Sequence, residues 1–162
     1  KGLDRVVECA RRTPHRQFRI VGLSPAMAER LSPLPANLSW TPGVEPIDLR
    51  REYRAASVYL QLSRAEGLPN VLMEAMACGC VPVVTQIGGM PDLVQGVGFI
   101  VPEGDVQAAL EAIEGALGRP ALARECRECI VKNYPLAHRE SGLVQAVRSV
   151  LPQVLDVASA AP

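Results

Sequence analysis

Two carboxylates stand around a turn that leads into a helical pattern. Glu66 lies in the turn and Glu74 at the end of the stretch "EGLPNVLME", one turn into a helix predicted from about Asn70 to Cys78. A helix that begins near Asn70 directs unpaired amides and a positive dipole end at the turn, which suits a phosphate or another anion. Glu74 lies near enough to this helix start to accept hydrogen bonds from a ligand's hydroxyl groups.

The backbone of the turn also has features that suit a ligand. Gly67 allows a ligand to approach the main chain closely. Pro69 has no amide hydrogen to donate. The donors must therefore come from the amides of Leu68, Asn70 and Val71.

Like charges repel, so a pair of glutamates does not suit a ligand that is only an anion. The pair suits a ligand with phosphates in the middle and hydroxyl-rich groups at both ends, which is the form of a nucleotide sugar. The spacing alone leaves a plainer explanation open, in which the helix dipole favours Glu66 and Glu74 lies on a solvated face.

Alternating apolar runs and helical patterns position this turn. Strands are predicted at 18–21, within "NLSWTPG", at 57–63, at 81–85 and within "GFIVP". Helices are predicted at 3–12, 25–31, 47–56, 70–78, 106–117 and 121–133, with a brief helical turn in "GGMPDLV" and a final helical segment from about His138 to Val157. Strands separated by helices predict an α/β layered domain with parallel pairing. Glu66 and Gly67 follow a predicted strand, so they lie at the sheet edge where such domains bind small molecules.

Composition limits the class of protein. The 162 residues are 48% hydrophobic and carry no net charge, which predicts one domain with a substantial core and argues against general attraction to nucleic acid or to anionic membranes. No apolar run approaches the roughly 20 residues of a membrane helix. The chain starts at Lys1, already within a helical pattern, so we expect a fragment of a longer protein.

Cysteine and histidine offer no strong metal pattern. The five cysteines predict reduced thiols and a reducing, cytoplasmic compartment. The pair in "CREC" lacks a second pair that would complete a tetrahedral zinc site, so plain packing is the better explanation. Neither His15 nor His138 has a carboxylate or cysteine cluster near it in the sequence.

The longer stretch "SRAEGLPNVLMEAMACGCVPVVTQIGGMPDLV" closely resembles the signature of retaining glycosyltransferases of the glycogen-synthase-like type, family four. That signature has two glutamates separated by seven residues, then "EAMA-G-PVV" and "GG-P-(Glu/Asp)". The segments "KGLDRVVECA", "FRIVG", "TPGV" and "PEGDVQAALEAI" resemble further parts of the family in the same order, through about Leu117.

The resemblance implies the GT-B architecture of two facing Rossmann-like domains, with this chain as the C-terminal, donor-binding half. The expected fold is a three-layer α/β domain with a mostly parallel sheet. The expected boundaries are 1–157 for the nucleotide-sugar-binding domain and 158–162 for a frayed tail. The N-terminal domain of the same protein would be the missing partner and would hold the acceptor.

The resemblance also implies roles for residues. Glu66 would contact hydroxyls of the transferred sugar, Glu74 would hold the ribose, and Lys1 would neutralise the diphosphate leaving group, while the family's partner arginine would lie upstream of Lys1. Backbone amides of Gly67, Leu68, Asn70 and Val71 would face the sugar and the diphosphate. The segment from Trp40 to Gly43 would lie near the base, although Trp40 itself is better explained as a buried strand residue.

The implied reaction is transfer of a sugar with retention at the anomeric carbon. Neither metal nor cofactor is required if lysine, arginine and helix amides stabilise the departing diphosphate, and the sequence has no Asp-x-Asp pair for a metal. We expect the isolated chain to bind a nucleotide or nucleotide sugar and to catalyse nothing alone. The missing half could add a peripheral membrane association.

Three alternatives remain. A nucleotide-sugar epimerase shares the fold, and a noncatalytic module could keep the pocket without the chemistry. A plain α/β interaction domain would not respond to nucleotide at all. The base, the sugar and the acceptor are not determined by these residues.

Overall fold

The computed structural model describes residues 1–135, 142–147 and 149. In this part of the chain the strands are β1 (Phe18–Val21), β2 (Leu38–Thr41), β3 (Val58–Gln61), β4 (Val81–Thr85) and β5 (Phe99–Val101). The helices are α1 (Leu3–Arg12), α2 (Pro25–Arg30), α3 (Pro46–Ala55), α4 (Asn70–Ala77), α5 (Met90–Val94), α6 (Val106–Leu117) and α7 (Leu122–Asn133). These elements confirm the predicted order.

The last predicted elements lie partly outside this description. Residues 142–147 are helical, within the segment predicted from His138 to Val157. Positions 138–141, 148 and 150–157 of that segment lie outside the described residues, as does the tail 158–162. The proposed boundary at residue 157 therefore stays a prediction.

The strands pair in parallel, as predicted. Within the described residues they form two hydrogen-bonded groups, β1 with β2 and β3 with β4 and β5, so the hydrogen bonding is not continuous across one sheet. Side chains connect the groups, because Val6 of α1 and Phe18 of β1 pack against the core clusters on both sides. The two groups therefore share apolar packing where they lack a common hydrogen-bond ladder.

The side chains of β4 divide between two cores, which makes the arrangement three-layered. Val81 and Val83 pack on one face with α1 and α6, whereas Val84 packs on the other face with α4, α5 and α7. Every residue of β4 is buried. A central parallel strand covered by helices on both faces is expected to be apolar throughout, and "VPVVT" is apolar except for its final threonine.

A buried asparagine ties the end of α1 to the start of β2. The side-chain amide of Asn37 donates to the carbonyl oxygens of Ala10 at 2.9 Å, Thr13 at 3.0 Å and Arg16 at 2.7 Å. Ala10 is in the last turn of α1 and Thr13 is its C-cap residue, so these bonds fix the end of the helix and the loop after it against the start of β2.

Among the helices in the described ranges, none is both long and apolar enough to cross a membrane.

Candidate functional site

The turn that carries Glu66 follows β3 and is held between two glycines. A Cβ atom at Gly2 would stand 1.8 Å from the carbonyl oxygen of Leu62, and one at Gly88 would stand 2.1 Å from that of Glu66. Both glycines have positive φ, 72° and 58°. Thr85 adds a buried bond, because its hydroxyl donates to the carbonyl oxygen of Ser63 at 2.7 Å. The main chain before α1 and the loop after β4 therefore fix the backbone of the turn from both sides.

The carboxylate of Glu66 has a cation and a hydroxyl as partners. Lys1 Nζ lies 2.7 Å from Glu66 Oε1, and Ser63 Oγ donates to the same oxygen at 3.1 Å. The side chain of Glu66 is 12% exposed, whereas that of Lys1 is 71% exposed. The pKa of Glu66 is held below its usual value, chiefly by Lys1 and to a smaller extent by Ser63 and Gln61. Partial burial acts in the opposite direction.

The N-terminus of α4 faces the same edge of the sheet. Its cap residue is Pro69, which makes no side-chain cap hydrogen bond, and the amide of Leu72 already donates to the Pro69 carbonyl at 3.1 Å. The amides of Asn70 and Val71 belong to the first turn, where an α-helix offers no internal acceptor. Leu68 and Val71 are 45% and 38% exposed. This helix start therefore has donors available for a ligand.

Glu74 is exposed and lies one turn further into α4. Tyr53 of α3 lies near enough to be affected by the charge of Glu74. Burial raises the pKa of Tyr53 above its usual value, and the negative charge of Glu74 adds to this effect. The charge of Glu74 therefore acts on α3, whereas Glu66 is paired with Lys1.

The other candidates have structural surroundings. Trp40 lies in β2 as predicted and packs against the core cluster under β1 and β2, but it is only partly buried. The five cysteines are free; Cys126 is fully buried, and its thiol donates to the carbonyl of Val97 at 3.0 Å. In the part of the chain that is described, no cluster of three or more His, Cys, Asp or Glu side chains could hold a metal ion.

Several residues of this site were missed at the level of sequence. Ser63 donates to the Glu66 carboxylate, and Tyr59 donates to Gln61 Oε1 at 3.1 Å. Gly88 was assigned to a turn, without its contact with Glu66. Gln61 is only 7% exposed, which its sequence alone does not indicate.

Comparison with known proteins gives a family match over most of the chain. Residues 1–119 match the family described as "Glycosyl transferases group 1". A D-inositol 3-phosphate glycosyltransferase from Segniliparus rotundus is 39% identical over 84 residues, which cover 47% of this chain and 18% of that protein. The chain spans about a fifth of the length of the curated relatives it matches.

Solved structures share the fold at lower identity. A sucrose-phosphate synthase from Thermosynechococcus elongatus superposes with a TM-score of 0.80 at 23% identity, over 94% of this chain and 43% of that one. The C-terminal domain of a group 1 family glycosyl transferase from Francisella tularensis superposes with a TM-score of 0.72 at 18% identity, over 84% of this chain and 80% of that one.

Proposed function

Because this chain belongs to the family of group 1 glycosyl transferases, we propose that it is the C-terminal, donor-binding domain of an enzyme that transfers a sugar from a nucleotide diphosphate sugar to an acceptor. The transfer retains the configuration at the anomeric carbon. The missing N-terminal domain of the same protein holds the acceptor and completes the leaving-group site with an arginine.

The observation that carries this proposal is the pair formed by Lys1 and Glu66, 2.7 Å apart at the carboxyl end of β3 and beside the start of α4. A cation next to a hydrogen-bond acceptor, with helix amides adjacent, suits a phosphate joined to a hydroxyl-rich group. A metal-free binding mode for the diphosphate follows from the same groups.

Each part of the donor then has a partner. Glu66 accepts hydrogen bonds from the sugar, and Glu74 accepts them from the ribose. Lys1 neutralises the diphosphate as it leaves. The amides that surround the sugar and the diphosphate are those of Gly67, Leu68, Asn70 and Val71. The protein accelerates transfer mainly by stabilising negative charge on the leaving group in a shielded cleft, and no cofactor takes part.

Lys1 has two anionic partners in this scheme, because it bridges to Glu66 in the structure and turns to the diphosphate when the donor binds. Its exposure leaves the ammonium free to move, since only 12% of the Glu66 side chain but 71% of the Lys1 side chain is accessible. Five free cysteines suit a reducing compartment, so we place the enzyme in the cytoplasm.

Calorimetric titration tests the proposal directly. The chain is titrated with uridine, guanosine and adenosine diphosphates and with the matching diphospho-sugars, and one base should give saturable binding. At a ligand concentration of 100 times the dissociation constant, binding should add about 2.7 kcal/mol to the free energy of unfolding. A chain that binds none of these ligands is a plain α/β interaction domain, and the proposal fails.

A second measurement separates the enzyme classes. The longer protein is incubated with the donor that binds, first alone and then with D-inositol 3-phosphate, the compound in the name of the relative from Segniliparus rotundus. Glycosyl transfer to this or another acceptor supports the proposal. Epimer formed without an acceptor identifies an epimerase, and binding without either reaction identifies a noncatalytic module.

A further inference from the structure

Ser63 carries a buried hydroxyl between the end of β3 and Glu66, and the proposed function gives it no role. The residue is completely buried. Its main chain is fixed, because the hydroxyl of Thr85 donates to the Ser63 carbonyl oxygen at 2.7 Å. A buried hydroxyl is unfavourable unless a hydrogen bond compensates for the loss of water. Ser63 is therefore held from inside the domain, and its own hydroxyl needs a partner.

The hydroxyl of Ser63 has two oxygens within reach. Glu66 Oε1 lies 3.1 Å from Ser63 Oγ, and the carbonyl oxygen of Lys1 lies 3.4 Å from it. A hydroxyl has one proton to donate, and a charged carboxylate at the shorter distance is the better acceptor. Ser63 therefore donates to Glu66, three residues further along the chain.

The two oxygens of the Glu66 carboxylate have different surroundings. Lys1 Nζ and Ser63 Oγ both contact Oε1, at 2.7 and 3.1 Å, and these are the hydrogen bonds of the carboxylate within the described residues. No buried side-chain oxygen in that part of the chain lacks a hydrogen bond, so Oε2 is accessible to solvent. The protein thus holds one oxygen of Glu66 and leaves the other open to a ligand.

We propose that Ser63 is a positioning residue, which holds Oε1 of Glu66 so that Oε2 faces the hydroxyls of the transferred sugar. The inference rests on the proposed function, in which Glu66 contacts the sugar and Lys1 turns to the diphosphate. The exposed side chain of Lys1 then no longer orients the carboxylate, whereas the buried Ser63 keeps its bond. A carboxylate that is already fixed loses less side-chain freedom on binding, which favours affinity for the sugar.

The experiment compares Ser63→Ala with wild type in paired calorimetric titrations. The pair is the nucleoside diphosphate and the nucleotide sugar of the base that wild type binds, chosen among UDP with UDP-glucose, GDP with GDP-mannose and ADP with ADP-glucose. Ser63→Ala should lose about three- to tenfold in affinity for the nucleotide sugar and less than about twofold for the diphosphate, because the bond that is removed acts at the sugar end only.

A double-mutant cycle tests whether Ser63 acts through Glu66. In a chain that already carries Glu66→Ala, the further change Ser63→Ala should alter the affinity for the nucleotide sugar by less than about twofold, because the carboxylate that Ser63 orients is absent. A merely structural role of Ser63 would give the same loss with and without Glu66, and that outcome refutes the inference.

Thr13→Val is the matched control, because it also removes a buried hydroxyl that donates to an oxygen of the chain. Thr13 is 8% exposed, and its hydroxyl donates to the carbonyl oxygen of Cys9 at 2.8 Å. It lies at the opposite end of α1 from Lys1. Both affinities of Thr13→Val should stay within about twofold of wild type. A selective loss equal to that of Ser63→Ala would refute the role of Ser63.

The outcomes separate the inference from the function on which it rests. A wild-type chain that binds neither member of any pair refutes the proposed function, and a Glu66→Ala variant that keeps its full affinity for the nucleotide sugar refutes the sugar contact of Glu66. If Glu66→Ala loses this affinity but Ser63→Ala loses neither affinity, or loses both equally, the positioning role alone is refuted.

A second variant covers a failure of Ser63→Ala to fold, as judged by its circular dichroism spectrum. Ser63→Cys keeps a side chain of similar shape whose thiol is only a weak donor, so it should also lose affinity selectively for the nucleotide sugar. An equal or absent loss in Ser63→Cys refutes the positioning role.

Discussion

Gly88 lies so close to Glu66 that a Cβ atom at position 88 would stand 2.1 Å from the Glu66 carbonyl oxygen and 2.7 Å from that of Gly67. The amide of Gly89 adds a hydrogen bond to the Gly67 carbonyl at 3.0 Å. The loop after β4 is therefore packed onto the turn after β3 through close main-chain contacts. A side chain at position 88 has to displace the turn on which the candidate site is built.

We predict that Gly88→Ala weakens donor binding by tenfold or more and lowers the free energy of unfolding by about 2 to 4 kcal/mol. Part of this loss, about 1 to 2 kcal/mol, comes from the positive φ of 58° alone. Gly96→Ala is the control, because Gly96 has a φ of 84° but no heavy atom within 4 Å of its Cβ position. Urea denaturation and titration with the donor measure both effects. Equal losses in the two variants would show that the contact with Glu66 is unimportant.

The ion pair of Lys1 and Glu66 predicts a pH dependence. The pKa of Glu66 is held below its ordinary 4.5, chiefly by Lys1. A carboxyl group whose pKa is lower in the folded state stabilises that state at pH values above its unfolded-state pKa. This stabilisation is lost as the pH falls through the folded-state pKa. Since Lys1 is mostly exposed, we expect the ion pair to add less than about 1 kcal/mol to the free energy of unfolding at pH 7.

Lys1→Met should raise the pKa of Glu66 toward its ordinary value. Carbon-detected NMR of the side-chain carboxyl groups measures this change. Glu8 serves as an internal control, because Arg12 and Arg11 lower its pKa independently of Lys1. If the Glu66 titration is the same in both proteins, Lys1 does not pair with Glu66 in solution.

The two glutamates should affect different parts of the donor. We predict that Glu74→Ala weakens binding of the nucleoside diphosphate by about tenfold, since a ribose hydroxyl loses a charged acceptor. Glu66→Ala should weaken the nucleotide sugar by a similar factor and the diphosphate much less. Calorimetry with the nucleoside diphosphate and the matching nucleotide sugar measures the loss of affinity for each ligand in each variant. Equal effects of the two substitutions on the diphosphate would contradict the assignment of ribose and sugar.

The buried asparagine predicts a purely structural loss. Asn37→Ala leaves the carbonyls of Ala10, Thr13 and Arg16 without their side-chain donor, so the free energy of unfolding should fall by about 1 to 3 kcal/mol. Asn133→Ala, at an exposed helix end, should stay within about 0.5 kcal/mol of wild type. Chemical denaturation measures both. A neutral Asn37→Ala would mean that water replaces the amide without loss.

Secondary structure could be predicted from the sequence because each element carries its own local pattern. "FRIVG" and "VPVVT" are short apolar runs closed by turn residues, and α2 begins with Ser24 as N-cap, whose hydroxyl accepts from the amide of Met27 at 3.3 Å. The grouping of the strands was not local in this way. Val6 and Phe18 pack against both cores between the two groups of strands, and no periodicity in either segment indicates this.

The candidate site was predictable to a similar extent. The start of α4 and the two glutamates follow from a turn, a proline and helical spacing. Contacts between distant segments do not follow from such local patterns. Lys1 and Glu66, for example, are 65 positions apart. Gln61 lies in a strand, where one polar residue is ordinary, so only its burial and its bond with Tyr59 distinguish it.

Helix α4 has consequences for how donor preference can be altered in a mutant library. Its first turn belongs to the proposed ligand surface, whereas Leu72, Ala75 and Met76 are completely buried in the core. Random changes along the whole helix would remove most variants by unfolding them before their selectivity could be measured. The tolerant positions are the exposed Leu68 and Val71, beside the amides that we propose to face the donor. A library confined to these two sites explores new sugars and bases while the scaffold stays folded.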